Sequence, residues 1–326
     1  MFWSIFLNVL FLILGMVFLI KGADFFVEGS SNVAKALKIP ALIIGLTLVS
    51  IGTSLPELSV SVNAALNGSA DISYGNVVGS NIFNVFVVIG CSALFTPMIV
   101  DKNLKKYDIP ILIAIYVLFA LFSFVISPNI LSRFESIILV LLFIAYIVFL
   151  ILRTKKQVKV GEIVVEEEKP TDKKPKKMWV NIIYIIIGLV GIIAGGEFVV
   201  ATASNLAYMA KMSELLVGLT IVAIGTSLPE LVTSAVAAKK GENDIAVGNA
   251  IGSSIFNILL ILGVASAIVP ISFESNTIID VATMMVSAVM VLLFALKGSK
   301  INKLEGAILI LIYLGYMTFI ILRNFS

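Results

Sequence analysis

Ile51-Gly52-Thr53-Ser54-Leu55-Pro56-Glu57 recurs as Ile224-Gly225-Thr226-Ser227-Leu228-Pro229-Glu230, 173 residues further along the chain. A second stretch follows each copy at the same distance. Gly75-Asn76-Val77-Val78-Gly79-Ser80-Asn81-Ile82-Phe83-Asn84 returns as Gly248-Asn249-Ala250-Ile251-Gly252-Ser253-Ser254-Ile255-Phe256-Asn257. With that offset, 22–84 lies over 195–257 without a gap, and about half of the positions are identical. Shared hydrophobicity would not align Gly, Pro, Asn and Glu, so the chain is a duplicated unit.

Outward from these motifs the sequence is apolar. Of 326 residues, 60% are hydrophobic and 13% charged, and the mean hydropathy is +1.10. An average soluble domain has roughly 25% charged residues, and a soluble core of this size still needs polar cover. Lipid is the remaining solvent. Apolar runs near 2–24, 40–66, 72–98, 109–127 and 134–152 in the first half have the length of membrane spans. Five more fall near 179–200, 214–238, 245–269, 278–296 and 304–322. The expected fold is an all-α integral membrane protein of ten transmembrane helices, arranged as two five-helix repeats over 1–152 and 179–326. The run from Phe2 to Ile20 has no basic start and no small-residue cleavage site, so it reads as a retained first span rather than a signal.

Between the halves, 153–178 holds nine Lys or Arg and five acids, the composition of a solvated linker. An odd number of spans per half places the halves in opposite orientations. Lys and Arg accumulate on the cytoplasmic side, and with the linker inside, 19 of the 23 basic residues fall inside. Both termini are then expected outside, in a multi-pass cell-membrane protein. Inverted repeats with ion sites at their interface are a common plan of secondary transporters.

An ionised carboxylate at mid-membrane costs roughly 2.5–3.5 kcal/mol even on insertion scales. Glu57 and Glu230 each lie within an apolar span, with no Lys or Arg in the matching stretches. Either both are protonated packing residues or a mobile cation is their partner. The surroundings favour a cation, because they are rich in oxygen. Thr53 and Ser54 precede Glu57 by four and three residues, a spacing that places both hydroxyls on its helix face. Pro56 and Pro229 lack an N–H and release the Gly52 and Gly225 carbonyls from helical bonding. Asn76, Ser80 and Asn84 form a polar stripe of period four, repeated as Asn249, Ser253 and Asn257. The glycines at 75, 79, 248 and 252 are explained as well by close helix packing. Carboxylate, hydroxyl, amide and carbonyl oxygens without imidazole or thiolate select hard cations: Na⁺, K⁺, Ca²⁺ or, less readily, Mg²⁺. The chain has no His, and Cys91 is its single cysteine, so neither soft-metal chemistry nor an intrachain disulfide is expected.

These paired motifs resemble the alpha repeats of the cation/Ca²⁺ exchanger superfamily, in its Na⁺/Ca²⁺ exchanger branch. The resemblance implies that Glu57 and Glu230 ligate Ca²⁺ and Na⁺ at the centre. It assigns hydroxyl or backbone oxygens to Thr53, Ser54, Thr226 and Ser227, and flanking Na⁺ sites to Ser80 and Ser253. Asn84 and Asn257 would line the middle, and backbone carbonyls near Ser50 and Ala223 would take part. It also implies that the first helix of each half is long, tilted and able to slide. Some relatives, K⁺-dependent exchangers among them, carry Asp at the position of Asn257, and the Ca²⁺/H⁺ branch places another acid after the Gly-Asn pair. The expectation is therefore Na⁺/Ca²⁺ antiport by alternating access. A Ca²⁺/H⁺ antiporter, a K⁺-dependent exchanger and a passive cation channel remain open, and an enzyme is least expected, since no nucleophile–base pair can be assembled without His. No cofactor, nucleic acid or protein partner is expected; the partners are Na⁺, Ca²⁺ and the bilayer. Asp24 and Glu197, aligned between the halves, fall near span ends and read as anchoring residues.

Overall fold

The computed structural model describes residues 2–67, 70–160, 177–211, 223–273 and 277–325. Helices dominate because the long apolar runs must satisfy every backbone N–H and C=O internally once in lipid. The first is α1 (Phe2–Leu37), followed by α2 (Ala41–Thr53), α3 (Leu55–Leu66), α4 (Ile72–Phe95), α5 (Leu104–Ile126) and α6 (Arg133–Val160). The second half holds α7 (Met178–Met209), α8 (Ala223–Thr226), α9 (Leu228–Lys239), α10 (Asn243–Ile268), α11 (Ile278–Gly298) and α12 (Lys303–Phe325). Eight of these are long and apolar enough to cross a membrane singly, and α2 with α3 make a ninth, bent span. The matching bent span of the second half, expected near 214–238, is described from Ala223 on as α8 and α9; its first part lies outside the described residues. On α6, Phe134, Ile137, Leu141, Ile144, Val148 and Ile151 are exposed at helical spacing, an apolar stripe fit only for lipid.

Four two-residue strands give the relation between the halves. β1 (Met98–Ile99), between α4 and α5, pairs antiparallel with β4 (Lys300–Ile301), between α11 and α12. β2 (Ile130–Leu131), between α5 and α6, pairs with β3 (Ile271–Ser272), between α10 and α11. Each half thus offers its third loop where the other offers its fourth. Parallel repeats would pair third loop with third; the exchange is the signature of an inverted pair.

Several span boundaries differ from the sequence reading. The runs 2–24 and 179–200 belong to helices that continue to Leu37 and Met209. At 1.5 Å per residue, 36 residues make a helix about 54 Å long, well beyond about 30 Å of hydrocarbon. Nothing interrupts α1 before Lys38, which takes a positive φ of 54° just before Pro40. Its glycines do not break it because they are a contact surface. A Cβ on Gly22 would stand 2.8 Å from Gly188 O, and one on Gly188 would stand 2.5 Å from Phe26 N. Gly15 against Gly195 and Gly29 against Asn181 continue this seam of α1 and α7 at seven-residue steps. Asn8–Asn205 and Asn32–Asn181 side-chain hydrogen bonds, 3.3 and 3.2 Å, sit at its two ends.

Asp24 consequently lies in mid-helix rather than at a helix end, and it anchors α1 by an ion pair with Lys240 at 3.2 Å. Glu197 likewise sits inside α7, exposed. The linker reading of 153–178 needs the same correction. Residues 153–160 extend α6, and Met178 opens α7. Arg153 is not solvated but buried, 3.0 Å from Asp108.

Candidate functional site

Both repeated motifs centre on a break. After α2 the chain leaves helical geometry at Ser54 (φ −87°, ψ 8°), and α3 sets off at 46° with Pro56 in its first turn. Ser227 (φ −93°, ψ 6°) does the same between α8 and α9, with Pro229. Proline is tolerated in a first turn, where its missing N–H has no helical partner to lose. Glu57 and Glu230 therefore stand in the first turns of α3 and α9. There the helix dipole and unbonded N–H groups favour negative charge.

The break overturns one sequence expectation. Ser54 does not share a helix face with Glu57. Ser54 Oγ donates to Glu230 Oε1 at 2.7 Å, and Ser227 Oγ donates to Glu57 Oε1 at 3.2 Å. Thr53 Oγ1 turns to Asn249 Oδ1 (3.1 Å), and Thr226 Oγ1 to Asn76 Oδ1 (3.4 Å). The hydroxyls of each half serve the carboxylate and amide of the other. Such an exchange is possible only because the two broken spans meet at the centre in opposite directions.

α4 and α10 complete the enclosure. Ser80 Oγ lies 3.0 Å from Ser227 Oγ, and Ser253 Oγ donates to Glu230 Oε1 at 3.3 Å. Ser253 also approaches the Ser50 carbonyl at 3.4 Å, so Ser50 meets the site through its backbone. Ala223 begins α8 beside the motif. Asn76 Nδ2 donates to Glu57 O and Ser61 Oγ, and Asn249 Nδ2 to Glu230 O and Ser234 Oγ. Asn84 and Asn257 each start a π-helical turn, Asn84–Val88 and Asn257–Leu262. A π turn adds a residue without adding a turn's hydrogen bond and is frequent at functional sites.

Burial and bonding together say what the enclosure accepts. Ser54, Glu57, Asn84, Ser227, Glu230, Ser253 and Asn257 are all fully buried. None of the ion pairs among the described residues involves either glutamate. Oε2 of Glu57, Oε2 of Glu230 and both amide atoms of Asn84 and Asn257 have no hydrogen-bond partner among the described residues. Buried polar atoms are otherwise almost always bonded. Two carboxylate oxygens and two amide carbonyls, buried and without a protein donor, are the oxygen donors that a hard cation takes. No group of three or more His, Cys, Asp or Glu occurs among the described residues, so the fixed charge there comes from the glutamate pair.

Ser61 and Ser234 escaped the sequence reading although they follow each glutamate by one turn and match between the halves. Two polar triads also escaped it: Asp108 with Tyr146 and Arg153, whose side chains are buried, and Asp280 with the half-buried Tyr316 and Arg323. They are copies of one clamp between the fourth and fifth spans of each half, one near β1 and the other near β3.

Oppositely directed halves, broken central spans and an oxygen-lined buried core define an ion transport protein of the inverted-repeat kind. A family model described as sodium/calcium exchanger protein matches residues 7–152 and 180–322, and the chain belongs to that family. A putative antiporter, CaxA, of Alkalimonas amylolytica is 38% identical over 88% of this chain and 90% of its own. The sodium/calcium exchanger MaX1 of Methanosarcina acetivorans is 34% identical over 95% and 97%. Among solved structures, the sodium-calcium exchanger NCX_Mj soaked with zero Na⁺ and Ca²⁺ superposes with a TM-score of 0.83 at 33% identity. That likeness covers 97% of this chain and 99% of the other.

Proposed function

We propose that this protein exchanges Na⁺ for Ca²⁺ across the membrane by alternating access, the two ions competing for one cage around Glu57 and Glu230. The observation that carries this reading is the pair of buried carboxylates bonded across the halves, each with one oxygen lacking a protein partner. Two negative charges balance one Ca²⁺ or successive Na⁺ ions, so occupancy by one set excludes the other. Thr53, Ser54, Thr226 and Ser227 hold the carboxylates and lend oxygens. Ser80, Ser253 and the Ser50 and Ala223 backbones flank them, while Asn84 and Asn257 face the middle. Membership in the exchanger family and its likeness to the sodium/calcium exchangers MaX1 and NCX_Mj support the choice of ions.

The two sides of the cage differ. α1 lies along α9, and Lys240 and Glu242 at the end of α9 hold Asp24 and Ser31 of α1. α7 has no comparable contact with α3 among the described residues, and α3 leaves Leu55, Ser59 and Asn63 exposed at four-residue spacing. With the linker in the cytoplasm, as the Lys and Arg distribution favours, the cytoplasmic side is closed and the route runs along α3 from outside. Displacement of the α1–α7 pair would then reverse the access.

Reconstituted vesicles test the coupling. Ca²⁺ uptake should accelerate when the lumen is loaded with Na⁺ and should not respond to K⁺ or pH gradients alone. Uptake independent of internal Na⁺, or driven by a pH gradient without Na⁺, would contradict the reading.

A further inference from the structure

The two strand pairs that clasp the halves together share a topology but not a charge. Around β2–β3, the stretches 127–132 and 269–277 carry no Lys or Arg, and Arg133, which opens α6, donates to the Ile268 carbonyl at 3.2 Å. Around β1–β4, the corresponding stretches 96–106 and 297–303 hold Lys102, Lys105, Lys106, Lys297, Lys300 and Lys303. The backbone pairing therefore does not itself require the charge. It does gather it: Ile99 lies opposite Lys300 in the register, and Val100 N donates to the Ser299 carbonyl at 2.9 Å.

Two of the six lysines are engaged within the clasp. Lys105 Nζ donates to Ser299 Oγ at 2.7 Å, and Lys106 Nζ stands 5.2 Å from the centre of the Tyr107 ring. Lys102, Lys297, Lys300 and Lys303 are exposed and enter none of the ion pairs among the described residues. The acids on the same elements are taken locally. Asp101 Oδ1 accepts from Asn103 N at 2.7 Å, Glu305 Oε2 accepts from Asn302 N at 2.9 Å, and Asp108 pairs with Arg153. Nor is the surface purely polar, since Ile99, Leu296 and Leu304 beside these lysines are 60%, 62% and 71% exposed. All of them lie at or next to the ends of membrane-crossing helices. At that depth a lysine stem can lie on apolar surface while its ammonium group stays polar-solvated.

We propose that the β1–β4 clasp is a docking surface for anionic phospholipid headgroups of the adjoining leaflet. Lys102, Lys297, Lys300 and Lys303 meet the phosphates, while Ile99, Leu296 and Leu304 rest against the acyl chains. A soluble polyanion would answer the charge but leave those three side chains in water. Charge interleaved with exposed apolar groups is the chemistry of a membrane surface. With the linker in the cytoplasm, the leaflet is the cytoplasmic one, where anionic lipids hold a negative surface potential. This reading is independent of which ions are transported.

Full-length protein stripped of lipid in detergent would be titrated with dioleoyl phosphatidylglycerol or dioleoyl phosphatidylcholine, and bound lipid counted by native mass spectrometry. A lysine near an anionic surface contributes roughly fivefold in affinity. The wild type should therefore prefer phosphatidylglycerol by at least about tenfold. K102Q/K297Q/K300Q/K303Q should lose that preference, and the matching four-arginine variant should keep it. K155Q/K156Q, which removes exposed charge from the end of α6 instead, should also keep it. Glycerol 3-phosphate at equal concentration should not displace the lipid. No preference in the wild type, as would follow if acids of the chain's own linker neutralised the lysines, would overturn the docking surface. A preference that survives four glutamines, or that falls equally in the α6 variant, would overturn its placement at the clasp. Loss in the four-arginine variant would overturn the role of charge, and displacement by glycerol 3-phosphate would overturn the membrane as partner.

Discussion

At Ser54 the backbone takes φ −87° and ψ 8°, and this one departure carries its hydroxyl away from Glu57 and onto Glu230. Ser227 makes the reciprocal move. A hydrogen bond to a charged group contributes about 1.5–3 kcal/mol, so losing one lowers affinity roughly 10- to 100-fold. Ser54→Ala and Ser227→Ala should each weaken Ca²⁺ binding by that amount, and by similar factors, when binding is measured by calorimetry. Wild-type affinity in either variant would mean that the crossed hydroxyls do not shape the cage. Glu57, Glu230, Ser80, Ser253, Asn84 and Asn257 stand out in the sequence as candidate site residues because an offset of 173 residues displays them twice. The crossing of Ser54 and Ser227 was not, because spacing arguments assume one continuous helix and the break lies within the motif itself. Arg153 was misread for a related reason: its partner Asp108 is 45 residues away, and local composition shows only a basic stretch.

The elements proposed to control access are α1 and α7, both longer than the apolar runs that announce them. Their seam depends on the absence of side chains at Gly22 and Gly188, where a Cβ would meet backbone. Overpacking a contact costs about 1–3 kcal/mol. Gly22→Ala should therefore lower the melting temperature in detergent. Gly315→Ala, where a Cβ meets nothing within 4 Å, should leave it unchanged. Equal behaviour of the two variants would show that the seam is looser than its geometry. The Lys240–Asp24 pair, with side chains about one third exposed, is a lighter tie of about 0.2–1 kcal/mol. Lys240→Gln should shift the two access states by less than about fivefold. The shift would be read as slower labelling of a cysteine placed at Asn63 on the exposed face of α3; unchanged labelling would remove the tie from the access equilibrium.

Across the whole molecule, duplication and inversion were readable from span count and charge, and the crossed strand pairs β1–β4 and β2–β3 give the inversion physical form. Helix ends were less readable, since α1 and α7 continue past their apolar runs through polar residues held by the neighbouring helix. The orientation makes its own prediction. Epitope tags at both termini should be reached by antibody on intact cells, and a tag within 161–176 only after permeabilisation. The reverse pattern would invert the access assignment while leaving the cage intact. The cage itself is tested most directly by equilibrium Ca²⁺ binding to purified protein, with Na⁺ as competitor, in the wild type and in Glu57→Gln and Glu230→Gln. Removing one charge from a buried pairing costs about 3–5 kcal/mol. Na⁺ should displace Ca²⁺ from the wild type, and each variant should bind Ca²⁺ at least about 100-fold more weakly. Wild-type Ca²⁺ affinity in either variant, or Ca²⁺ binding indifferent to Na⁺, would contradict a shared site built on the two glutamates.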